Sequence, residues 1–142
     1  MLKEGADVNK ARDTGSTPLF MASQKGHCDV VEALLRGGAD VNKAEKDSTT
    51  PLIMASQDGH CDVVEALVRG GADVNKARND GVTPLNKASH KGRCDVVEAL
   101  VRAGADLTLA WRGQTPLHSA TTKGHTDVVR VLQAAAAAGT GR

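Results

Sequence analysis

The tripeptide Thr-Pro-Leu occurs four times in this chain of 142 residues, at intervals of 33, 33 and 32 residues. It begins at Thr17, Thr50, Thr83 and Thr115. The segment Cys-Asp-Val-Val-Glu-Ala-Leu recurs three times in the same register, after each of the first three tripeptides. A short period repeated four times predicts an array of similar units, each packed on its neighbours, and not a domain with one central core.

Each unit is predicted to contain two short helices, and the tripeptide marks the start of the first. Thr is a good N-cap, and Pro at the first helical position has a preset φ angle and no N–H to leave unpaired. A glycine follows where a helix end commonly needs a left-handed residue. The predicted first helices are Pro18–Lys25, Pro51–Asp58, Pro84–Lys91 and Pro116–Lys123.

The second helix of each unit starts two residues after that glycine. In the second unit Asp62 lies in its first turn and Arg69 in its last, where the helix dipole favours an acid and a cation respectively. Val64, Leu67 and their apolar neighbours form a wide stripe that can be buried. A hairpin-like loop is predicted to follow. Ser48 stands where the other loops carry glycine, so we expect a positive φ angle there.

Composition excludes several classes of function. The formal net charge is +1, and Phe20 and Trp111 are the only Phe, Tyr or Trp residues. The chain therefore has neither the basic surface nor the stacking rings of a nucleic-acid-binding protein. No apolar run resembles a signal peptide or reaches membrane-spanning length. We predict an intracellular protein, cytoplasmic or nuclear, that engages neither nucleic acid nor membrane.

Three cysteines, Cys28, Cys61 and Cys94, lie one period apart. Stacked units would hold equivalent atoms about 8–10 Å apart, beyond the ~7 Å between Cα atoms that a disulfide allows. No Cys-x-x-Cys pair or comparable histidine spacing points to a metal site. We therefore expect small buried core residues with free thiols, which favour a reducing compartment.

Together these features resemble the ankyrin repeat, a family with a period of about 33 residues and a Thr-Pro-Leu-His-x-Ala signature. The likeness covers nearly the whole chain, because Gly-His, Val-Val and Gly-Ala-Asp-Val-Asn also recur in register. There are departures as well. Phe20, Ile53 and Asn86 stand where the family has His, Arg93 replaces the histidine of Gly-His, and the loop before Thr115 is one residue short.

The resemblance implies an all-α fold, an ankyrin-type helical solenoid of helix-turn-helix repeats with hairpin-like loops. We predict a single array over residues 1–138, with about four repeats starting near residues 17, 50, 83 and 115. Residues 1–9 match only the end of a repeat, so they are predicted to be the remnant of a preceding one. Residues 139–142 are predicted to be a flexible tail.

The polar residues that could carry catalysis recur with the repeat. His27, His60 and His125 each follow a helix-ending glycine, and we expect them to satisfy backbone groups at the turn between helices. Acid–base catalysis by carboxylates needs two acids in different environments beside one bond. Residues one repeat apart do not provide that arrangement. We predict a non-catalytic protein with no cofactor and no metal site.

The residues that differ between repeats are the best candidates for function. They lie in the loops and at the ends of the first helices, which stacking lines up along one concave surface. The resemblance implies a protein–protein interaction module, or scaffold, that binds a partner protein through this surface. The predicted contact residues are Lys46, Asp47, Gln57, Asp58, Asn79, Asp80, His90, Lys91, Trp111, Arg112, Thr122 and Lys123. Their mixed charge suggests a mixed polar partner, and we expect the chain to be a monomer.

Trp111 is the only tryptophan, and it lies in the shortened loop beside Arg112. Trp and Arg are the residue types most enriched in binding hot spots, so Trp111 is a candidate anchor for a partner. It could equally fold back over Leu107 and Leu109 to cover the last repeat. The sequence favours neither interpretation.

Three other functions fit the sequence. Asn42 and Asn75 resemble ankyrin-repeat asparagines that an oxygenase hydroxylates, although a structural role in the loop explains the same residues. The chain could be the ankyrin segment of a larger multidomain protein or enzyme whose catalytic domain precedes Met1. It could also be a designed scaffold, since its middle repeats are nearly identical.

Overall fold

A computed structural model describes residues 17–138 of the chain. Within this range eight α-helices form four pairs. They are α1 (Pro18–Lys25), α2 (Cys28–Arg36), α3 (Pro51–Asp58), α4 (Cys61–Arg69), α5 (Pro84–Lys91), α6 (Cys94–Arg102), α7 (Pro116–Thr122) and α8 (Thr126–Ala137). The predicted all-α helical solenoid is therefore confirmed. The predicted remnant at residues 1–9 and the predicted tail at residues 139–142 lie outside the described residues.

The helices form two layers. The first helices of the pairs, α1, α3, α5 and α7, pack side by side in one row, and α2, α4, α6 and α8 form a second row against it. The bridge between Trp111 and Gln114 is the one isolated β-bridge among residues 17–138. Over the same residues, none of the helices combines the length and the apolar character needed to cross a membrane.

The first helices begin and end as their sequences predict. The Thr50 Oγ1 atom accepts a hydrogen bond from the Ile53 N–H at 3.1 Å, and Gly59 closes α3 with a φ angle of 78°. The same left-handed glycine follows α1, α5 and α7, with φ angles of 75°, 74° and 76° at Gly26, Gly92 and Gly124. α7 nevertheless ends at Thr122, one residue earlier than predicted, and Lys123 is its C-cap residue.

The core lies between the two layers. Leu52 and Leu85 of the first row, and Val64 and Leu67 of the second, are fully buried. Helices of eight or nine residues are marginal alone, so this packing on both neighbours is what stabilises each pair. The periodic apolar stripe of the sequence and the core of the structure are therefore the same residues.

The cysteines differ from the prediction. They are free, but they are half-buried at the edge of the core and not enclosed in it. Each is the first residue of a second helix, and the Cys28 Sγ atom lies 3.6 Å from the Asp62 carbonyl oxygen of the next repeat. Burial, reinforced by the neighbouring carboxylates, raises the pKa of the Cys28 and Cys61 thiols, which keeps them protonated near neutral pH.

Side chains join each repeat to the one before it. The His60 Nε2 atom lies 3.0 Å from the Gln24 carbonyl oxygen, and the His125 Nε2 atom lies 3.0 Å from the His90 carbonyl oxygen. Because a carbonyl oxygen only accepts, Nε2 carries the proton in both rings. These histidines therefore satisfy backbone groups at a turn between helices, as predicted, but the turn belongs to the preceding repeat.

Arg93 takes the same role with different chemistry. Its Nε–H donates to the Gln57 carbonyl oxygen at 3.1 Å, the position that corresponds to Gln24 and His90 in the other repeats. The departure from the family pattern at Arg93 therefore preserves the hydrogen bond between repeats.

Candidate functional site

Three loop tips project beside the row of first helices. We call them tip 1 (Glu45–Thr49), tip 2 (Arg78–Val82) and tip 3 (Trp111–Gln114). Backbone hydrogen bonds close each one: the Glu45 N–H donates to the Thr49 oxygen at 3.0 Å, and the Arg78 N–H donates to the Val82 oxygen at 2.9 Å. In tip 3 the bonds between Trp111 and Gln114 run both ways, at 2.9 and 3.0 Å, because this loop is one residue shorter.

The tips are ordered by left-handed residues and by contacts between neighbours. Ser48 has a φ angle of 72°, which confirms the expected positive value. Arg112 also has a positive φ angle, of 55°, which was not predicted. The Asn79 N–H of tip 2 donates to the backbone carbonyl oxygen of Asp47 in tip 1 at 2.9 Å. Tips 1 and 2 are therefore joined into one edge, and tip 3 continues it in the next repeat. We call this edge, with the solvent side of α1, α3, α5 and α7, the first-helix face.

All twelve predicted contact residues lie at the surface. Gln57, Asp58, His90 and Trp111 are half-buried. The other eight are exposed, namely Lys46, Asp47, Asn79, Asp80, Lys91, Arg112, Thr122 and Lys123. Whether they contact a partner stays a prediction.

Five of the twelve line a single cleft. Its volume is about 330 Å³, and its walls come from α5, tip 3 and the end of α7. We call it the Trp111 cleft, and its lining residues are His90, Trp111, Arg112, Gln114, Thr122 and Lys123. These residues are separated by as many as 33 positions in the chain, so the stacking of two repeats is what brings them together.

The Trp111 ring is held by cations and by a histidine. The Arg112 guanidinium carbon lies 4.6 Å from the ring centroid, and the Lys87 Nζ atom lies 5.1 Å from it. The His90 ring meets the indole edge-on, with centroids 5.7 Å apart and an interplanar angle of 86°. Cation–π and edge-to-face contacts of this kind each contribute about 0.5–1.5 kcal/mol. The indole is therefore a rigid wall of the cleft.

His90 is itself fixed in place. Its Nδ1 atom lies 3.3 Å from the Ser119 hydroxyl oxygen of α7. Burial, together with the positive charges of Lys123, Lys87 and Lys91, lowers the pKa of His90 below its ordinary value. The ring is therefore neutral near pH 7, in a part of the surface where a further positive charge is unfavourable.

Asp80 of tip 2 forms an ion pair with Arg78 of the same tip. Its two carboxylate oxygens accept hydrogen bonds from Arg78 at 3.0 and 2.8 Å. These bonds, with one from the Val82 N–H, lower the pKa of Asp80 to about 2. The nearby Trp111 indole N–H makes the smallest contribution to this lowered pKa, and this buried nitrogen has no hydrogen bond of regular length and angle.

Four of the remaining predicted contacts lie apart from the cleft. Lys46 and Asp47 belong to tip 1, where an Asp47 carboxylate oxygen accepts from the Thr49 N–H at 3.0 Å. Gln57 and Asp58 lie at the end of α3, with the Gln57 amide nitrogen 3.5 Å from an Asp58 oxygen. The structure therefore divides the predicted surface into a C-terminal cleft and a separate N-terminal part.

Sequence reasoning missed two residues at the cleft, Lys87 and Gln114. Gln114 lines the cleft because tip 3 is shortened. Burial, with the charges of Arg78 and Lys91, lowers the pKa of Lys87. A signal for Lys87 was available, since it replaces the Met21 and Met54 of earlier repeats at the same helical position.

Asn42 and Asn75, the alternative modification sites, serve the loops between repeats. The Asn42 amide oxygen accepts from the Asp73 N–H at 2.9 Å, and that of Asn75 accepts from the Asp106 N–H at 2.8 Å. These bonds account for the asparagines as structural residues and leave hydroxylation a hypothesis. Within residues 17–138 no three His, Cys, Asp or Glu side chains are grouped so that they could hold a metal ion.

Comparison with known families agrees with this geometry. The family model described as ankyrin repeats, in three copies, matches residues 1–78, 38–110 and 70–139. The three matches overlap and together span residues 1–139. A search among curated proteins finds no match to the chain.

Proposed function

The chain belongs to the ankyrin-repeat family, and we propose that it is a non-catalytic module that binds a partner protein through its first-helix face. Ankyrin repeats generally mediate protein–protein interaction and are typically non-catalytic. The proposal includes a scaffold-like role and a monomeric chain. It also includes an intracellular location, which the free thiols support.

The observation that carries the proposal is the convergence of five of the predicted contact residues in the Trp111 cleft. The residues that recur in every repeat are used in the core and in the joins between repeats. Tips 1 and 2 contain no tryptophan, and in tip 3 both Trp111 and Arg112 remain at the surface. Trp and Arg lead the residue types that dominate binding energy in protein interfaces. A stable complex would bury roughly 800 Å² on this side, which extends well beyond the cleft.

Proximity labelling in cells that express the chain naturally tests the proposal. One variant carries Trp111→Ala with Lys91→Glu on the first-helix face. A matched control carries Val30→Ala with Arg36→Glu on α2, where both residues are exposed. We expect the control to label the same proteins as the native chain and the face variant to lose them.

Titration calorimetry on each labelled protein then measures the direct effect. Loss of a hot-spot Trp should weaken binding by about tenfold or more. Circular dichroism and the melting temperature check that both variants stay folded. If the face variant binds every labelled protein as tightly as the control does, the proposed surface is wrong.

A further inference from the structure

Charge is distributed unevenly along the first-helix face. Arg112 and Lys123 line the Trp111 cleft, and its lining includes no carboxylate. Lys87 and Lys91 add positive charge close to His90 in its wall. Asp80, which lies close to Trp111, is already paired with Arg78. The N-terminal part has cations and acids mixed, namely Lys25, Glu45, Lys46, Asp47 and Asp58. The near-neutral charge of the whole chain therefore conceals a local positive field.

The cations of the cleft have no carboxylate of their own. Among residues 17–138 the ion pairs are Arg69–Glu32, Arg78–Asp80 and Arg102–Glu65, so Lys87, Lys91, Arg112 and Lys123 take part in none of them. Burial is the main cause of the lowered pKa of His90 and of Lys87, and neighbouring cations lower both further. An anion placed here would meet several unpaired donors at once.

The geometry also favours an acid in the cleft over one on open surface. Arg112 lies against the Trp111 ring, which limits the freedom of its guanidinium before binding. Trp111 and His90, both half-buried, line the cleft beside these cations, so an acid bound there would be partly removed from water. Both effects strengthen a charge pair relative to a fully solvated one, since less entropy is lost and the local dielectric is lower.

From these observations we propose that the Trp111 cleft binds the carboxylate side chain of an acidic segment in the partner protein. This inference rests on the proposed function and specifies the partner's chemistry. Arg112 and Lys123 provide the charge, and the Trp111 ring packs against the aliphatic part of the Asp or Glu side chain. The cleft volume of about 330 Å³ suits a short segment and not a long polyanion.

Trp111 provides its own reporter, because it is the only tryptophan and the chain has no tyrosine. The full chain is titrated with a short blocked peptide that carries adjacent Asp and Glu residues between glycines and serines. A peptide with Asn and Gln at the same positions is the matched ligand control, and inorganic phosphate is a second one. We expect the acidic peptide to shift the indole emission saturably, with an affinity that falls as salt is added.

Two variants locate the response. Lys25 and Lys123 occupy equivalent sequence positions in the repeats that begin at Thr17 and Thr115, and both are exposed. Lys123→Gln should lower the affinity for the acidic peptide by about threefold to tenfold. Lys25→Gln removes the same charge and should leave that affinity unchanged. Arg112→Asn, whose new side chain tolerates the left-handed backbone, should weaken it similarly.

Three outcomes would overturn the inference: an equal response to the Asn and Gln peptide, an equal loss in Lys25→Gln, or saturation by phosphate at the same concentration as by the acidic peptide. The proposed function can survive such a failure. If the face variant still loses its labelled partners, the protein-binding surface stands and only the acidic chemistry is wrong. If the native chain binds the acidic peptide as expected but the face variant labels the same proteins as the native chain does, the cleft is separate from the surface that binds the partner, and the inference about the partner is wrong.

Discussion

We call the side-chain hydrogen bonds that link one repeat to the next the joins between repeats. The joins and the Trp111 cleft are both built from polar side chains, but they differ in how often they occur. The join made by Asn42 recurs at Asn75, with lengths of 2.9 and 2.8 Å. The His60 join recurs at His125 with the same length of 3.0 Å. The Trp111 cleft, in contrast, occurs where the third loop is shortened and Lys87 replaces a methionine.

This difference separates stability from recognition. A join that recurs holds any repeat to its neighbour, so its loss should destabilise the array. A feature that occurs once adds little to that packing, and its charges and ring remain accessible. We therefore expect substitutions in the joins to change the free energy of unfolding, and substitutions in the cleft to change binding.

The largest effect is expected for Gly92→Ala, in a join. Gly92 has a φ angle of 74°, and an added Cβ atom would lie 2.7 Å from the Nδ1 atom of His125. The substitution strains the backbone and displaces the ring that donates to the His90 carbonyl oxygen. We expect a loss of about 2–4 kcal/mol in the free energy of unfolding, measured by urea denaturation.

Gly71→Ala is the matched control for that substitution. Gly71 has a φ angle of 95°, with nothing within 4 Å of an added Cβ atom. It should cost only the backbone term, about 1–2 kcal/mol. Equal losses at the two glycines would show that the His125 join adds nothing to stability.

A smaller effect is expected for Asn75→Ala. The substitution removes the acceptor of the Asp106 N–H, which is partly buried between two repeats. An unsatisfied backbone donor there should cost about 1–2 kcal/mol in urea denaturation. Asn79→Ala, on the exposed surface of tip 2, should change stability by less than about 0.5 kcal/mol. The comparison between joins and tips fails if the two alanine variants are equally stable.

The smallest effect concerns the Arg78–Asp80 pair, which lies beside the cleft. The pKa of Asp80 in the folded state is about 2, below the ordinary value for Asp. The pair therefore stabilises the folded state fully above about pH 4. That contribution is lost as the pH falls from about 4 to about 2. Because the Asp80 side chain is 43% exposed, we expect less than about 1 kcal/mol.

The measurement compares native protein with Asp80→Asn. Urea midpoints at neutral pH should favour the native protein slightly, and the difference should shrink as the pH approaches 2. A difference that stays constant over this range would mean that the ion pair does not stabilise the fold.

Most of the fold could be predicted from the sequence because its signals are local. Thr-Pro and Gly define the ends of the first helices through capping and backbone geometry within a few residues. The one wrong boundary among the first helices is at Lys123 and differs by one residue, since Gly124 keeps the expected left-handed conformation. The half-buried cysteines were misjudged because periodicity shows which side of a helix faces inward, but not how far an edge position is covered.

The site could be predicted only as a set of variable residues along one surface. Twelve residues were named, and five of them meet in the cleft. Their meeting depends on contacts between repeats, such as His90 with Ser119 and Lys87 with the Trp111 ring. Neither Lys87 nor Gln114 was expected to take part, because the sequence pattern gives no distance between side chains of neighbouring repeats.

The chain's primary structure was sufficient for the four helix pairs within residues 17–138, the order of their helices and most of the core, because caps, glycines and apolar stripes act over short stretches. The stacking of α5 on α7 selected which polar residues share a cleft and gathered its cations. It also showed that Arg93 replaces a histidine without loss of a hydrogen bond. These results required coordinates because they depend on the rotamers and spacing of side chains about 30 positions apart, where small rotations between repeats determine which groups touch.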